Sequence, residues 1–158
     1  MMNKLQLNKS QSGLAAVEAT LVLPLLLLLM LAIGEFGRLL YQYNTLTRAV
    51  RAGAQIEVDA NNIFDSSAKA SREQRITNLI LYGNVTGGSN TLLPGMTSDD
   101  IDFNYIQSPA GSGDWYYQVD VSYNWQPMFG ASLDTFFGDV LSLSFPLSSS
   151  ITVRELSQ

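Results

Sequence analysis

Gly13-Leu14-Ala15-Ala16-Val17-Glu18-Ala19-Thr20-Leu21-Val22-Leu23-Pro24-Leu25, continued by apolar residues to Ile33, decides the architecture of this chain. From Leu14 to Ile33 there are twenty residues, and Glu18 carries the single charge among them. As a helix, twenty residues reach about 30 Å, the hydrocarbon thickness of a bilayer. The stretch therefore reads as a transmembrane helix that holds one acid near its start. A carboxylate at mid-bilayer costs about 2.5–3.5 kcal/mol, so an acid kept there signals function and a partner.

The residues before it are basic. Met1–Gly13 holds Lys4 and Lys9 and no acid, whereas Glu35 and Arg38 nearly cancel beyond the span. The positive-inside rule then predicts a cytoplasmic N-terminus and an extracytoplasmic domain from residue 34 to residue 158. That length suffices for one small domain with its own core. The formal charge is −5, and it becomes −7 without residues 1–13, which argues against nucleic acid as a partner. Cysteine and histidine are both absent. Disulfides, thiolate metal sites, the commonest zinc ligand and the Ser-His-Asp triad are excluded with them.

Three fates of the N-terminus are open on these residues. A secretory signal peptide would use Ala32-Ile33-Gly34 as its small-residue cleavage site, but its apolar core runs to about fifteen residues, and Glu18 sits where that core should begin. An uncleaved anchor would let Glu18 snorkel to the inner interface. A prepilin-type leader of residues 1–13 would be cut after Gly13, making Leu14 the first residue and Glu18 the fifth. Cleavage creates an amine with a pKa near ~8 at a helix start inside the membrane edge. A Glu on a neighbouring helix can neutralise that cation and so set the axial offset between subunits. Glu18 also suits its own helix N-terminus through the dipole.

At this point the chain resembles a known group. The string from Gly13 to Glu18, then Leu21-Val22-Leu23-Pro24 and Gly34-Glu35-Phe36-Gly37-Arg38, is similar to the TadE-like family of pseudopilins from tight-adherence (Tad/Flp) pilus machinery. Thr45-Leu46-Thr47-Arg48-Ala49-Val50-Arg51-Ala52-Gly53-Ala54 resembles the stretch that follows the span in that family. Ser148 to Glu155 resembles its C-terminal strand. Ala19 departs from the aromatic usual after the glutamate. The resemblance implies a bacterial inner-membrane protein, cut at Gly13/Leu14 by a prepilin peptidase, with Glu18 in contact with other pilin-like subunits. It implies a place beside the pilus assembly machinery, with no cofactor, metal or small-molecule substrate.

Beyond the span, Phe36, Leu39, Tyr43, Leu46, Val50 and Gly53 recur at 3,4,3,4,3 spacing. This stripe is expected to pack on the protein's own domain or on a partner helix, with Arg38, Gln42, Arg48, Arg51 and Gln55 opposite. One helix is expected from Leu14 to about Val58, kinked or broken at Pro24, and a polar break at Asp59–Asn62. A second helix is expected over about 67–82, ended by Gly83, and a loop or hairpin over 83–98. Ile101, Phe103 and Tyr105 alternate with polar residues, as do Trp115, Tyr117, Val119, Val121, Tyr123 and Trp125. The glycine-rich turn 109–113 joins them as a hairpin. Leu141 to Leu147 alternates with serines, followed by Ile151 and Val153, and Pro146 points to an edge or a bulge. The fold class is α+β and pilin-like: a long N-terminal helix under a small antiparallel sheet.

Other candidate sites weigh less. Asp99, Asp100, Asp102 and Asn104 imitate a calcium loop, but Tyr105 and Gly111 stand where an EF-hand needs Gly and Glu. Lys69 is the sole lysine beyond residue 13 and so the one candidate base for a serine nucleophile. It is expected on a solvated helix face, which argues against an enzyme. The aromatics of 115–125 suit a sheet core better than a sugar platform. Asn84-Val85-Thr86 matches a glycosylation sequon that a bacterial pilin would not use. Gly34 and Gly37, near the outer end of the span, permit close helix approach. The function expected is structural: to prime or support pilus assembly. The alternative is a permanently anchored periplasmic scaffold or binding protein that is never processed.

Overall fold

A twenty-residue stretch, apolar but for Glu18 and Thr20 and with no internal breaker but Pro24, followed by a long apolar stripe, produces one long helix. In the computed structural model, which describes residues 9–56, 66–107, 115–128, 130, 132–134 and 140–154, this helix is α1, Lys9–Ile56, 48 residues long. It continues through Pro24 without interruption. The polar break expected at 59–62 and the glycine-rich turn at 109–113 lie outside the described residues. The chain divides into two units, Met1–Arg38 and Leu39–Gln158.

Among its described residues the first unit is helix alone. The second combines the C-terminal part of α1 with α2 (Ser66–Tyr82) and five strands: β1 (Ile101–Gln107), β2 (Trp115–Asn124), β3 (Ser132–Asp134), β4 (Val140–Ser142) and β5 (Pro146–Arg154). β1, β2 and β5 form an antiparallel sheet in the order β1-β2-β5, and β3 pairs with β4 separately. The period-two pattern therefore gave the central strand β2 and both its neighbours. The stretch expected to alternate from Leu141 to Leu147 is divided instead, its first part in β4 and its last in β5. Pro146 occupies the first position of an edge strand, where its missing N–H costs no ladder bond.

The core lies between the apolar face of that sheet and the two helices. Tyr117, Val119, Val121, Tyr123 and Trp125 are buried in one cluster with Leu46 and Val50 of α1, Ile76, Ile80 and Leu81 of α2, and Leu93, Met96, Ile101 and Leu147. Burying each large apolar side chain contributes about 1.5–3 kcal/mol. The Tyr123 hydroxyl, carried deep inside, donates to the Pro94 carbonyl at 2.9 Å. Next to it Gly95 has φ +75°, and a Cβ there would fall 2.5 Å from Gln126 Nε2. The positive φ calls for glycine, whereas the exposed amide end of Gln126 could swing aside.

The helical stripe divides along its length. Leu46, Val50 and Gly53 are buried and Leu39 is partly so, but Phe36 and Tyr43 are 61% and 44% exposed. Gln42, expected on the opposite face, is buried. A 3,4 repeat advances 3.5 residues per turn, whereas an α-helix takes 3.6, so such a stripe rotates about 20° per heptad. Over the two heptads from Val50 back to Phe36 this is about 40°, which takes Tyr43 and Phe36 off the buried side, whereas Gln42, four residues before Leu46 and seven before Ala49, stands on it. Gln42 Oε1 has no hydrogen-bond partner among the described residues. An unsatisfied buried acceptor costs about 1–3 kcal/mol. Gln42→Met is accordingly expected to raise stability by about 1 kcal/mol in a denaturant titration of the detergent-solubilised protein.

Candidate assembly segment

Residues 14–33 are apolar around the whole circumference of α1, so no single face can be hidden by one domain. All of them are exposed, with Leu14 and Leu21 at 74% and Ile33 at 72%. A bare leucine surface of this length is stable only in lipid or against other apolar helices. The helix is long and apolar enough to cross a membrane, and this N-terminal apolar helix suggests a membrane anchor.

Within it lie two polar features. Glu18 is exposed, little more than one turn beyond Gly13. Thr20 Oγ1 donates back to the Ala16 carbonyl at 2.7 Å. Pro24 lacks an N–H, so the Thr20 carbonyl loses its usual donor four residues on. A carboxylate and a freed carbonyl thus fall in the first three turns after Gly13. Gly34 and Gly37 have nothing within 4 Å of an added Cβ, so both leave open space beside the helix. Phe36 and Tyr43 add exposed aromatic surface, and Leu39 turns towards the core. Leu14, Glu18, Pro24, Gly34 and Gly37 therefore all lie along one exposed stretch of α1.

The other candidates have structural occupations. Lys69 Nζ sits 4.2 Å from the ring centroid of Tyr105 and 3.8 Å from Glu73 Oε1, and the Tyr105 hydroxyl donates to Glu73 Oε1 at 2.9 Å. This set fastens α2 to β1. Burial first, then the bond and charge of Glu73, push the Tyr105 hydroxyl up to about 12. Tyr105 therefore stays neutral at ordinary pH. Sequence spacing alone missed this set, although Lys69 and Glu73 stand one helical turn apart.

In the acidic stretch, Asp100 Oδ2 accepts from the Thr97 N–H at 2.8 Å and closes a short 3-10 turn at Ser98–Asp100. Asp102 lies on the sheet, directly across from Asp120. Among the described residues no three acidic side chains come together as cation ligands. In the sequon, Asn84 Oδ1 accepts from both the N–H and the hydroxyl of Thr86, a local turn bond. The aromatics of β2 belong to the core: Tyr117 stacks on Phe103 with centroids 6.1 Å apart.

The solvent face of the sheet carries a polar network. Asp120 accepts from Gln118 Nε2 at 2.9 Å and Asn104 Nδ2 at 3.0 Å, and a hydrogen bond with Ser150 joins them. These bonds, Ser150 and Gln118 foremost, hold its carboxyl below the ordinary value of 3.8. A depressed carboxyl pKa stabilises the fold above the unfolded value, and that contribution is lost as pH falls through the folded value. Stability is expected to fall below pH ~4, and Asp120→Asn is expected to flatten that acid limb in thermal melts taken across pH.

No curated protein and no solved structure matches the chain. Residues 13–55 match the family model described as TadE-like protein, the same stretch that presents the bare apolar surface and Glu18. The chain thus carries, in its first helix, a segment similar to the TadE-like family.

Proposed function

We propose that the chain is a minor pilin or pseudopilin that primes or supports assembly of a tight-adherence pilus. A prepilin peptidase cuts after Gly13, and Leu14 becomes the first residue. Residues 14–33 hold the protein in the bacterial inner membrane, N-terminus in the cytoplasm, with residues 34–158 in the periplasm. The helix then leaves lipid for contact with other pilin-like subunits, and Glu18 neutralises the amine at Leu14 of a neighbour. Phe36, Tyr43 and the open flanks of Gly34 and Gly37 supply close helix contact on the outer side of the span.

One observation carries this reading: a fully exposed apolar stretch, residues 14–33, whose single acid stands five residues past Gly13, inside the TadE-like match. A plain anchor needs the apolar surface but gains nothing from the acid, which costs free energy in lipid. The role is structural rather than catalytic, in keeping with the TadE-like segment. Removing the gene product from its host should abolish or sharply reduce sheared surface fibres, and supplying it in trans should restore them. Normal fibres without it would sink the reading in favour of an unprocessed periplasmic scaffold.

A further inference from the structure

Charge is segregated along this chain. Residues 83–158 hold eight acids and one basic residue, whereas Arg38, Arg48, Arg51, Lys69, Arg72 and Arg75 all fall between residues 38 and 75. In the folded unit two oppositely charged surfaces result. One is the part of the sheet's solvent face around Asp102 and Asp120, four residues along β5 from the single basic residue of that face, Arg154. There Asp102 and Asp120 stand directly opposite each other in the β1–β2 register and line a shallow concavity with Ser122, Ser148 and Ser150. Like charges set across a strand pair repel. The other surface is a row on α1, with Asn44, Arg48, Arg51 and Gln55 all exposed at spacings of four, three and four. Both surfaces are exposed in one copy, so neither covers the other.

We propose that the acidic sheet face of one copy docks on the Arg48–Arg51 row of a second copy. Two different surfaces meet, so the contact is heterologous and propagates head to tail. Charge complementarity favours this orientation over contact between like faces. A basic row over the paired carboxylates relieves their mutual repulsion. The polar network around Asp120 holds that carboxylate ionised and in place for it. The inference deepens the fibre reading and rests on it for its setting, since an open contact suits a linear assembly.

The test uses the full chain in membranes. The protein has no cysteine, so single cysteines report one contact each. Two differently tagged copies, one with Ser122→Cys on the sheet face and one with Asn44→Cys on the helical row, are co-expressed and oxidised. A mixed disulfide dimer is expected, in excess of either like pair. Asp102→Lys with Asp120→Lys should lower its yield about tenfold, as should Arg48→Glu with Arg51→Glu in the partner copy. Combining both reversals should restore it, which also shows that the variants fold. Raised salt should weaken the contact. Dominant like pairs, no dimer, or a mixed dimer indifferent to charge reversal would overturn the proposal. Crosslinking is read in the membrane fraction, so a contact without fibres, or fibres without the contact, separates this inference from the fibre reading.

Discussion

Glu18→Ala is expected to reduce surface fibres by about two orders of magnitude while leaving the folded domain intact. In the proposed assembly, Glu18 neutralises a neighbour's amine at the membrane edge. Removing one partner of a buried ion pair costs about 3–5 kcal/mol, because the other charge stays buried alone. At ~1.4 kcal/mol per tenfold, even the lower figure corresponds to about a hundredfold loss of association. Glu18 is exposed on the part of α1 in the first unit and is no member of the core cluster, so unfolding of the second unit should be unchanged. Glu18→Gln keeps the shape and removes the charge, and it should behave like the alanine variant. The check is the chain's amount in sheared and membrane fractions. A permanent anchor predicts the opposite sign: loss of a membrane-embedded acid would be silent or would improve insertion.

Gly53→Leu is expected to destabilise the second unit by about 3 kcal/mol. Gly53 is the point where α1 comes against α2. An added Cβ would lie 3.1 Å from Ile76 Cγ2 and 3.1 Å from Ile80 Cγ1, and both isoleucines are almost fully buried. A leucine places three more carbons into that filled space. α2 would have to move outward and draw its part of the core with it. Gly53→Ala is different. Its helix propensity gain of about 1 kcal/mol opposes a contact tight by only a few tenths of an ångström, so the net change should stay within about 1 kcal/mol. Trp125 is buried, so tryptophan fluorescence during denaturant unfolding of the solubilised protein reads both variants. Equal stability of the glycine and leucine forms would contradict the helix packing described.

The parts legible in the sequence were those with long regular patterns. A twenty-residue stretch, apolar but for Glu18 and Thr20, gave the first part of the long helix, and five alternating buried positions from Tyr117 to Trp125 gave the central strand. Ser66, one residue from its expected position, begins α2, and Tyr82 ends it before Gly83, whose φ of +71° suits a helix stop. Three-residue strands are too short to show a period, so β3 was invisible and β4 was merged with β5. Phe36 and Tyr43 matched the stripe by spacing, yet spacing does not include the slow rotation that carries them off the core. Gln42 was misplaced for the same reason, its polarity outvoting its position. The links across elements, Lys69 and Glu73 to Tyr105 or Asn104 to Asp120, depend on which strand meets which helix or strand. No local pattern contains that. In the proposed assembly segment, Gly13, Leu14 and Glu18 stand out in the sequence because a single acid in lipid is conspicuous, and their roles are part of the proposal; the open space beside Gly34 and Gly37 needed coordinates.

The central claim is that the chain is processed as a pilin. The most direct measurement is the intact mass and N-terminal sequence of the protein from membranes, with and without the cognate prepilin peptidase. A chain that begins at Leu14 only when the peptidase is present is the predicted result. A chain that still begins at Met1 with the peptidase active, or one that begins at Glu35, would contradict it.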